Sequence, residues 1–305
     1  MKKIFALSTL ITLAVVITGI QSCKFSHASP AKLMKFNLEK GKGYDYEMVW
    51  DMDQKVMGND TKISIGGMFS VLVTDDNGTE KTMTSTYKRF VMNMKMMGME
   101  IDVDTDKPAP ALTPEEMEEN PMSMMNRMFS GIAGKSFVMK VDQEGKVTEV
   151  SGFREIIQSM VDSVGIGEEM KQMMTASLND QFNDQSLKDQ FAQVFTIFPN
   201  KEVKVGDSWE KSYSTGGKMA AKFNTHYTVK EMEGDIITLD SKTRIEPTED
   251  NGSGANISGD QTGIIKVDTR TGLMIAGDFD QKMDIKASGV SIQMNGKGKI
   301  KGKAH

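Results

Sequence analysis

The chain has 305 residues, with 37 Lys and Arg against 42 Asp and Glu, three His and one Cys, for a formal charge of −5. A mild acidic balance without a basic block excludes nucleic acid as an expected partner. A single cysteine excludes internal disulfides and any cysteine-based metal cluster.

The N-terminus reads MKKIFALSTLITLAVVITGIQSC. Lys2 and Lys3 precede an uncharged apolar stretch from Ile4 to Ile20, and small and polar residues then lead to Cys23. This is the layout of a secretory signal, with residues 1–22 removed from the mature protein. Ile20-Gln21-Ser22-Cys23 resembles the lipobox of bacterial lipoproteins, which implies cleavage before Cys23 and a diacylglycerol on its thiol. The alternative is an ordinary signal peptide with a chance cysteine. An N-terminal anchor of several acyl chains, each buried CH₂ contributing about 0.8 kcal/mol, would hold the protein to a membrane. Loss of residues 1–22 removes two lysines and no acid, leaving 35 basic and 42 acidic residues and a formal charge of −7. No later stretch has about 18 uninterrupted apolar residues, so no further membrane span is expected.

Residues 23–40 read as the lipidated cysteine, a tether and a first strand over residues 33–38. Residues 41–106 follow a β pattern, in which Tyr44, Tyr46, Met48 and Trp50 alternate with Asp45, Glu47 and Val49. Gly58-Asn59-Asp60 and Asn77-Gly78 supply turns, the second a strong hairpin signal. Residues 113–199 read as helical. Thr113-Pro114-Glu115-Glu116 and Asn120-Pro121 are start signals. Met122, Met125, Met128 and Phe129 then recur at helical spacing. A hairpin across Val138 to Val150 interrupts. The stripe Phe153, Ile156, Ile157, Met160, Val161 and Val164 restores the helical period. Met170, Met173 and Met174 mark a short helix, and a last one, capped by Ser186, carries Leu187, Phe191, Val194 and Phe195. β patterning returns over residues 203–300, and the basic tail GKGKIKGKAH reads as frayed.

Strands grouped with strands and helices with helices imply α+β architecture rather than alternating βαβ units. The expected fold is a curved antiparallel β-sheet, half-barrel-like, with the central helical segment covering its concave face. Residues 41–305 then make a single domain.

The stretch VMNMKMMGME, residues 91–100, concentrates thioethers. On a strand, Met92, Met94 and Met96 share a face, and the parity flips after Gly98. A two-residue turn at Met97-Gly98 pairs Met96 with Met99, Met94 with Ile101 and Met92 with Val103. It also sets Lys95 against Glu100 and Arg89 against Asp106. A one-residue bulge at Gly98 is the other solution. Thioethers suit Cu(I), so Met92, Met94, Met96 and Met99 are a candidate copper set. Against it, no histidine lies nearby, and the mature chain carries 26 Met against 8 Leu. Apolar packing or a ligand lining accounts better for the run, and a sacrificial antioxidant surface is a third reading. The candidate apolar lining is Met92, Met94, Met96, Met99 and Ile101 on strands, with Met122, Met125, Met128, Ile157 and Met160 on helices.

Asp102-Val103-Asp104-Thr105-Asp106 begins like a calcium loop but has Lys107 at the sixth position and Thr113 at the twelfth, where Gly and Glu are needed. His226 stands alone on an expected strand. No nucleophile elbow, zinc spacing or phosphate loop occurs. No catalytic residue, metal or cofactor is expected.

The stretch Phe198-Pro199-Asn200-Lys201-Glu202-Val203-Lys204-Val205-Gly206-Asp207-Ser208-Trp209 and the later Val267-Asp268-Thr269-Arg270-Thr271-Gly272 resemble recurring phrases in a family of uncharacterised lipoproteins typical of Bacteroidota. That resemblance implies an envelope location and no particular chemistry. The expected architecture also resembles the LolA/LolB and mycobacterial lipoprotein carriers at the level of fold. The resulting expectation is a non-enzymatic lipoprotein of the outer membrane, facing the periplasm. It would bind a lipid or acyl chain in a Met-rich cavity, the alternative being a closed-core, partner-binding lipoprotein.

Overall fold

The computed structural model describes residues 30–56, 58–96, 99–107, 121–182, 184–195, 197–216, 220–248, 256–287 and 290–305. The signal segment, Cys23, His27 and the helix start expected at Thr113-Pro114 lie outside these residues.

The chain begins with β1 (Lys32–Met34), β2 (Gly43–Val56), β3 (Asn59–Asp76), β4 (Glu80–Met96) and β5 (Met99–Asp104). Helix α1 (Pro121–Ser130), the hairpin β6 (Ser136–Asp142) and β7 (Val147–Ser151), and helices α2 (Phe153–Val164), α3 (Glu168–Gln181) and α4 (Asp184–Phe195) follow. The remainder is strand: β8 (Lys201–Val203), β9 (Ser208–Ser214), β10 (Ala221–Glu233), β11 (Ile236–Pro247), β12 (Asn256–Asp268), β13 (Leu273–Ala287) and β14 (Val290–Ala304). Twelve strands form one open antiparallel sheet in the order β7-β6-β4-β3-β2-β14-β13-β12-β11-β10-β9, with β5 paired to β4 off this path. β1 and β8 form a separate two-stranded ribbon.

The expected α+β fold with a helical cover is overturned. The protein is mostly antiparallel sheet, and its helices are only 10–14 residues long. Their main contacts are with each other and with β5, β6, β7 and β9, near the sheet's edges. The physical reason lies in their apolar stripes, which are narrow and already occupied. Ile156, Ile157, Met160, Val161 and Val164 of α2 are buried in this corner. α3 has almost no stripe to offer, and Met173, which sits at helical spacing with Met170 and Met174, is 62% exposed.

Eleven flat strands at ~4.8 Å spacing would hold the two edges ~48 Å apart. The twelve residues of α4 span only ~18 Å, yet α4 contacts both β7 and β9. The sheet therefore curls until one helix reaches both edges. Behind α4, Trp209 of β9 donates from Nε1 to the carbonyl of Ile197 at 2.9 Å, and Phe195 packs edge-on against Phe36. Met34, Phe36 and Leu38 of the N-terminal ribbon enter the same core as Val73, Met83, Val141, Leu239 and Val267.

The core occupies one end of the long strands. On β2, Tyr44 and Tyr46 are buried, whereas Met48, Trp50, Met52 and Gln54 on the same face are partly exposed. β13 repeats the gradient, from buried Leu273 to partly exposed Phe279, Gln281, Met283 and Ile285. The inner face is thus closed at one end and accessible at the other.

The basic tail is the middle of the sheet and not a frayed end. β14 pairs with β13 along one side and β2 along the other. Its lysines point outward, with Lys297 facing Asp280 and Asp51, Lys299 facing Asp278, Lys301 facing Glu47 and Lys303 facing Asp45. Its glycines point inward, Gly298 and Gly302 under the rings of Trp50 and Tyr46. A Cβ on Gly298 would lie 2.6–2.8 Å from three ring atoms of Trp50. Gly298→Val is therefore expected to destabilise the fold by about 1–3 kcal/mol through overpacking. Gly296→Ala, whose nearest neighbour would be Met52 at 3.6 Å, should be neutral or slightly stabilising. Urea midpoints of the two variants test the contrast.

Candidate apolar face

The methionine run forms the expected hairpin: Met96 is opposite Met99, Met94 opposite Ile101 and Met92 opposite Val103. Its outer face carries the matched charges. Lys95 Nζ is 2.8 Å from Glu100, and Arg89 Nε is 3.2 Å from Asp106. The strongest pair escaped the sequence reading. Arg89 donates from Nε and Nη2 to both oxygens of Asp104, at 2.9 and 2.8 Å. Such a two-pronged contact holds a carboxylate more firmly than a single ion pair. With Asp106 also on Arg89, and Lys107 Nζ 3.6 Å from Asp102, the would-be calcium acids are held by cations of the chain itself.

The inner face of this hairpin is covered. Met92, Ile101 and Val103 form a small buried cluster, closed by Ile65, Phe90, Met94 and by Met125 and Phe129 of α1. Phe90 and Phe129 stack at 4.5 Å. The described candidate lining residues are divided between this cluster and the principal core. Met160 is in the principal core with Met128 packed against it, and Ile157 is 1% exposed. The side chains of Met96, Met99 and Met122 lie outside the described residues. Among the described residues no group of three or more His, Cys, Asp or Glu side chains is arranged to hold a metal ion. His226 lies on the outer face beside Glu210, 3.7 Å away.

The accessible apolar surface is elsewhere, over the junction of β2, β14, β13 and β12. The ring of Trp50 lies face-on over Gly298, and that of Phe279 lies over Gly263 and Gly277, with near contacts of 2.6 Å to the Cβ that each glycine lacks. The two rings stack at 5.9 Å and 18°. Glycines on neighbouring strands let the rings lie down on the sheet instead of standing into its interior. The result is a broad apolar floor flanked by Met52, Ile63, Ile65 and Met283, all partly exposed. The alternation of Trp50 with acids was legible in the sequence, but the matching glycines are over 200 residues away.

The outer face of the same strands is mainly polar, with Val49 and Ile264 as exposed apolar exceptions. One cross-strand row runs Arg244, Asp260, Lys282, Asn295, Asp53, Lys62, and the next runs Thr262, Asp280, Lys297, Asp51, Ser64. Parts of both rows border an outer depression of about 570 Å³. Alternating signs across strands stabilise the pairing by roughly 0.2–1 kcal/mol each. A transmembrane barrel presents an apolar band outward, and this face is the reverse.

The two sequence phrases are structural. At the end of β12, Asp268 accepts two bonds from the Arg270 guanidinium, at 3.0 and 2.7 Å, and one from the Arg270 backbone N–H at 3.0 Å. Burial pushes the Asp268 carboxyl up, but these bonds, with that from Tyr44, hold it below its usual value. Gly272, at φ +75°, lies where a Cβ would strike the carbonyl of Lys35 at 2.2 Å. The turn thereby fastens the N-terminal ribbon, with Asn37 N–H donating to the Thr271 carbonyl.

A family of unknown function, DUF6263, matches residues 78–274. The chain belongs to that family. Both phrases lie inside the match, whereas β2, β3 and β14 lie outside it. No curated protein matches the chain. Among solved structures, a lipovitellin described for its lipid–protein interactions is similar over 88% of this chain at 8% identity, with a TM-score of 0.48. The chain spans 26% of that protein. OccK5 of Pseudomonas aeruginosa is similar over 88% of this chain and 99% of its own, at 9% identity and a TM-score of 0.27. The translocator domain of the autotransporter NalP from Neisseria meningitidis aligns over 88% and 90%, at 5% identity and a TM-score of 0.25. Likenesses this distant carry nothing about ligand or location.

Arg89 holds the Asp104 carboxyl at about 2, below its ordinary 3.8. The lowered value means that the folded state resists protonation more than the unfolded chain does. The pair's contribution is complete above about pH 4 and is lost as pH falls toward about 2. Asp104→Asn should thus be less stable than the parent at neutral pH, with the gap narrowing across that acidic window. Urea midpoints taken from neutral pH down to pH 2 measure it.

Proposed function

We propose that the chain is a lipid-anchored envelope protein, binding rather than catalytic, that holds a lipid or acyl chain against the inner face of its curled sheet. The observation that carries this is the floor of Trp50 and Phe279. Two large aromatic rings and the methionines beside them remain partly exposed on the inside, while the outside of the same strands is dominated by rows of charged side chains, with Val49 and Ile264 as its apolar exceptions. Surface that leaves apolar groups in water costs about 25 cal/mol per Å², and an apolar ligand relieves that cost. Large exposed apolar surface in a folded protein marks a binding site more often than a defect.

The anchor rests on the signal-like N-terminus and Cys23, and the envelope location on the likeness of the phrases at residues 198–209 and 267–272 to Bacteroidota-type lipoproteins. The carrier comparison with LolA/LolB is weakened, because it relied on helices lining the concave side. The Met-rich lining gives way to an aromatic and glycine floor with methionines at its margin. A second reading, partner binding by a protein with a closed core, is favoured by Met170 and Met173 of α3, 52% and 62% exposed on one helix face. Partner binding alone would leave Trp50 untouched by lipid.

Two measurements follow. In cells fed an alkyne-tagged fatty acid, the parent chain should take up the tag and fractionate with membranes, and Cys23→Ser should lose both. The protein has two tryptophans, Trp50 and Trp209. A brominated fatty acid should quench Trp50 in the parent, and Trp50→Phe should abolish the saturable quenching, leaving Trp209 unaffected. Absence of saturable quenching in the parent rejects the ligand.

A further inference from the structure

The inner face is not uniformly apolar, and the sheet register shows how its polarity is laid out. One cross-strand row passes from the β9 edge through Lys211, Thr225, Thr243, Gln261 and Gln281. Every one of these side chains can form hydrogen bonds, and the first is a cation. The same row continues through Gly296, Met52, Ile63, Met94 and Ile101, where nothing polar occurs. The rows on either side contain no charged side chain: one carries Trp209, Phe279, Trp50 and Met92, and the other Tyr213, Phe223, Met283 and Met294. The polar half-row is therefore a local feature of strands β9–β13 and not a drift toward the strand ends.

The state of these polar groups differs along the row. Thr225 and Thr243 are buried and satisfy each other through their hydroxyls at 2.8 Å. Lys211, Gln261 and Gln281 are partly exposed on the inner face. Among the described residues no carboxylate lies within ion-pair distance of Lys211, and no acid occurs in its row or in the inward rows on either side. An inward ammonium without a counter-ion is an unfavourable choice for a surface that only needs to pack. A glutamine pair at the border of an apolar floor is likewise costly unless something accepts or donates there.

Resting on the apolar-ligand reading, we infer that the occupant is a long-chain fatty acid. Its carboxylate lies toward Lys211, and its chain runs past Gln261 and Gln281 and over Gly296 toward Met52 and Ile63. Charge complementarity with Lys211 selects the anion. Gly296 joins the two halves without a side chain of its own, bordered by Met52 and Gln281. A polyanionic or branched ligand fits less well, because only one cation faces inward along this row and the apolar half is a single continuous floor.

The test uses the purified full-length chain at neutral pH with two probes, dibromostearate and its methyl ester, both read by quenching of Trp50. The acid should bind about tenfold more tightly than the ester. Lys211→Met should remove most of that preference by weakening the acid while leaving the ester unchanged, and Gln281→Leu should reduce it in part. Equal binding of acid and ester by the parent, or a preference that survives Lys211→Met, overturns the carboxylate assignment and leaves apolar binding standing. Failure of both probes to quench overturns apolar binding as well. Circular dichroism of each variant confirms that the comparison is between folded chains.

Discussion

Everything in this molecule depends on the pairing of β14 with β2. The N-terminal strands β2–β7 and the C-terminal strands β9–β13 are otherwise two separate groups, and the last strand of the chain joins them into one sheet. The seam is specified on both faces. Outside, lysines 297, 301 and 303 face Asp51, Glu47 and Asp45. Inside, Gly298 receives the Trp50 ring and Gly302 the Tyr46 ring. A one-residue slip would set rings against lysines and point acids into the interior, so the register is strongly determined. The cost is a pairing between strands more than 200 residues apart, a long-range contact of the slow-forming kind.

Curling follows from that closure. Twelve strands with one apolar face cannot all bury that face in a flat layer, and the four described helices are too short to cover it. The sheet instead wraps around its own inner side chains at one end, where the β1–β8 ribbon and α4 fill the space. At the other end the strands extend past the core, and their inner residues stay partly exposed. The functional proposal lives on that difference between the two ends. The outer face carries rows of alternating charge, with Val49, Met68 and Ile264 as its exposed apolar residues.

Several local features were legible in the sequence because their physics is local. The parity flip at Gly98 gave the β4–β5 register residue by residue, and Asn77-Gly78 gave the β3–β4 turn, with Gly78 at φ +86°. The stripe at residues 153–164 gave α2 with its boundaries. The misreadings have physical reasons too. The tail GKGKIKGKAH looks solvated because each lysine is read without the acid that faces it from another strand. Met173 looks like a packing residue because spacing shows a face but not whether a partner covers it. The methionine run looks like a ligand lining because the hairpin pattern contains no sign of α1 lying over it.

By itself the sequence determined the N-terminal signal-like segment with Cys23, the strand-rich character of both halves, the local hairpins and the division of each strand into a charged and an apolar side. These depend on neighbours within a few residues, where spacing and turn chemistry suffice. Only the tertiary structure decided that the two halves form one sheet, that the helices stand at its edge, and which apolar residues remain accessible. It also brought Lys211, Gln261 and Gln281 into one row with Met52 and Ile63. Those outcomes depend on which strands become neighbours across more than 200 residues, and no local pattern encodes that pairing.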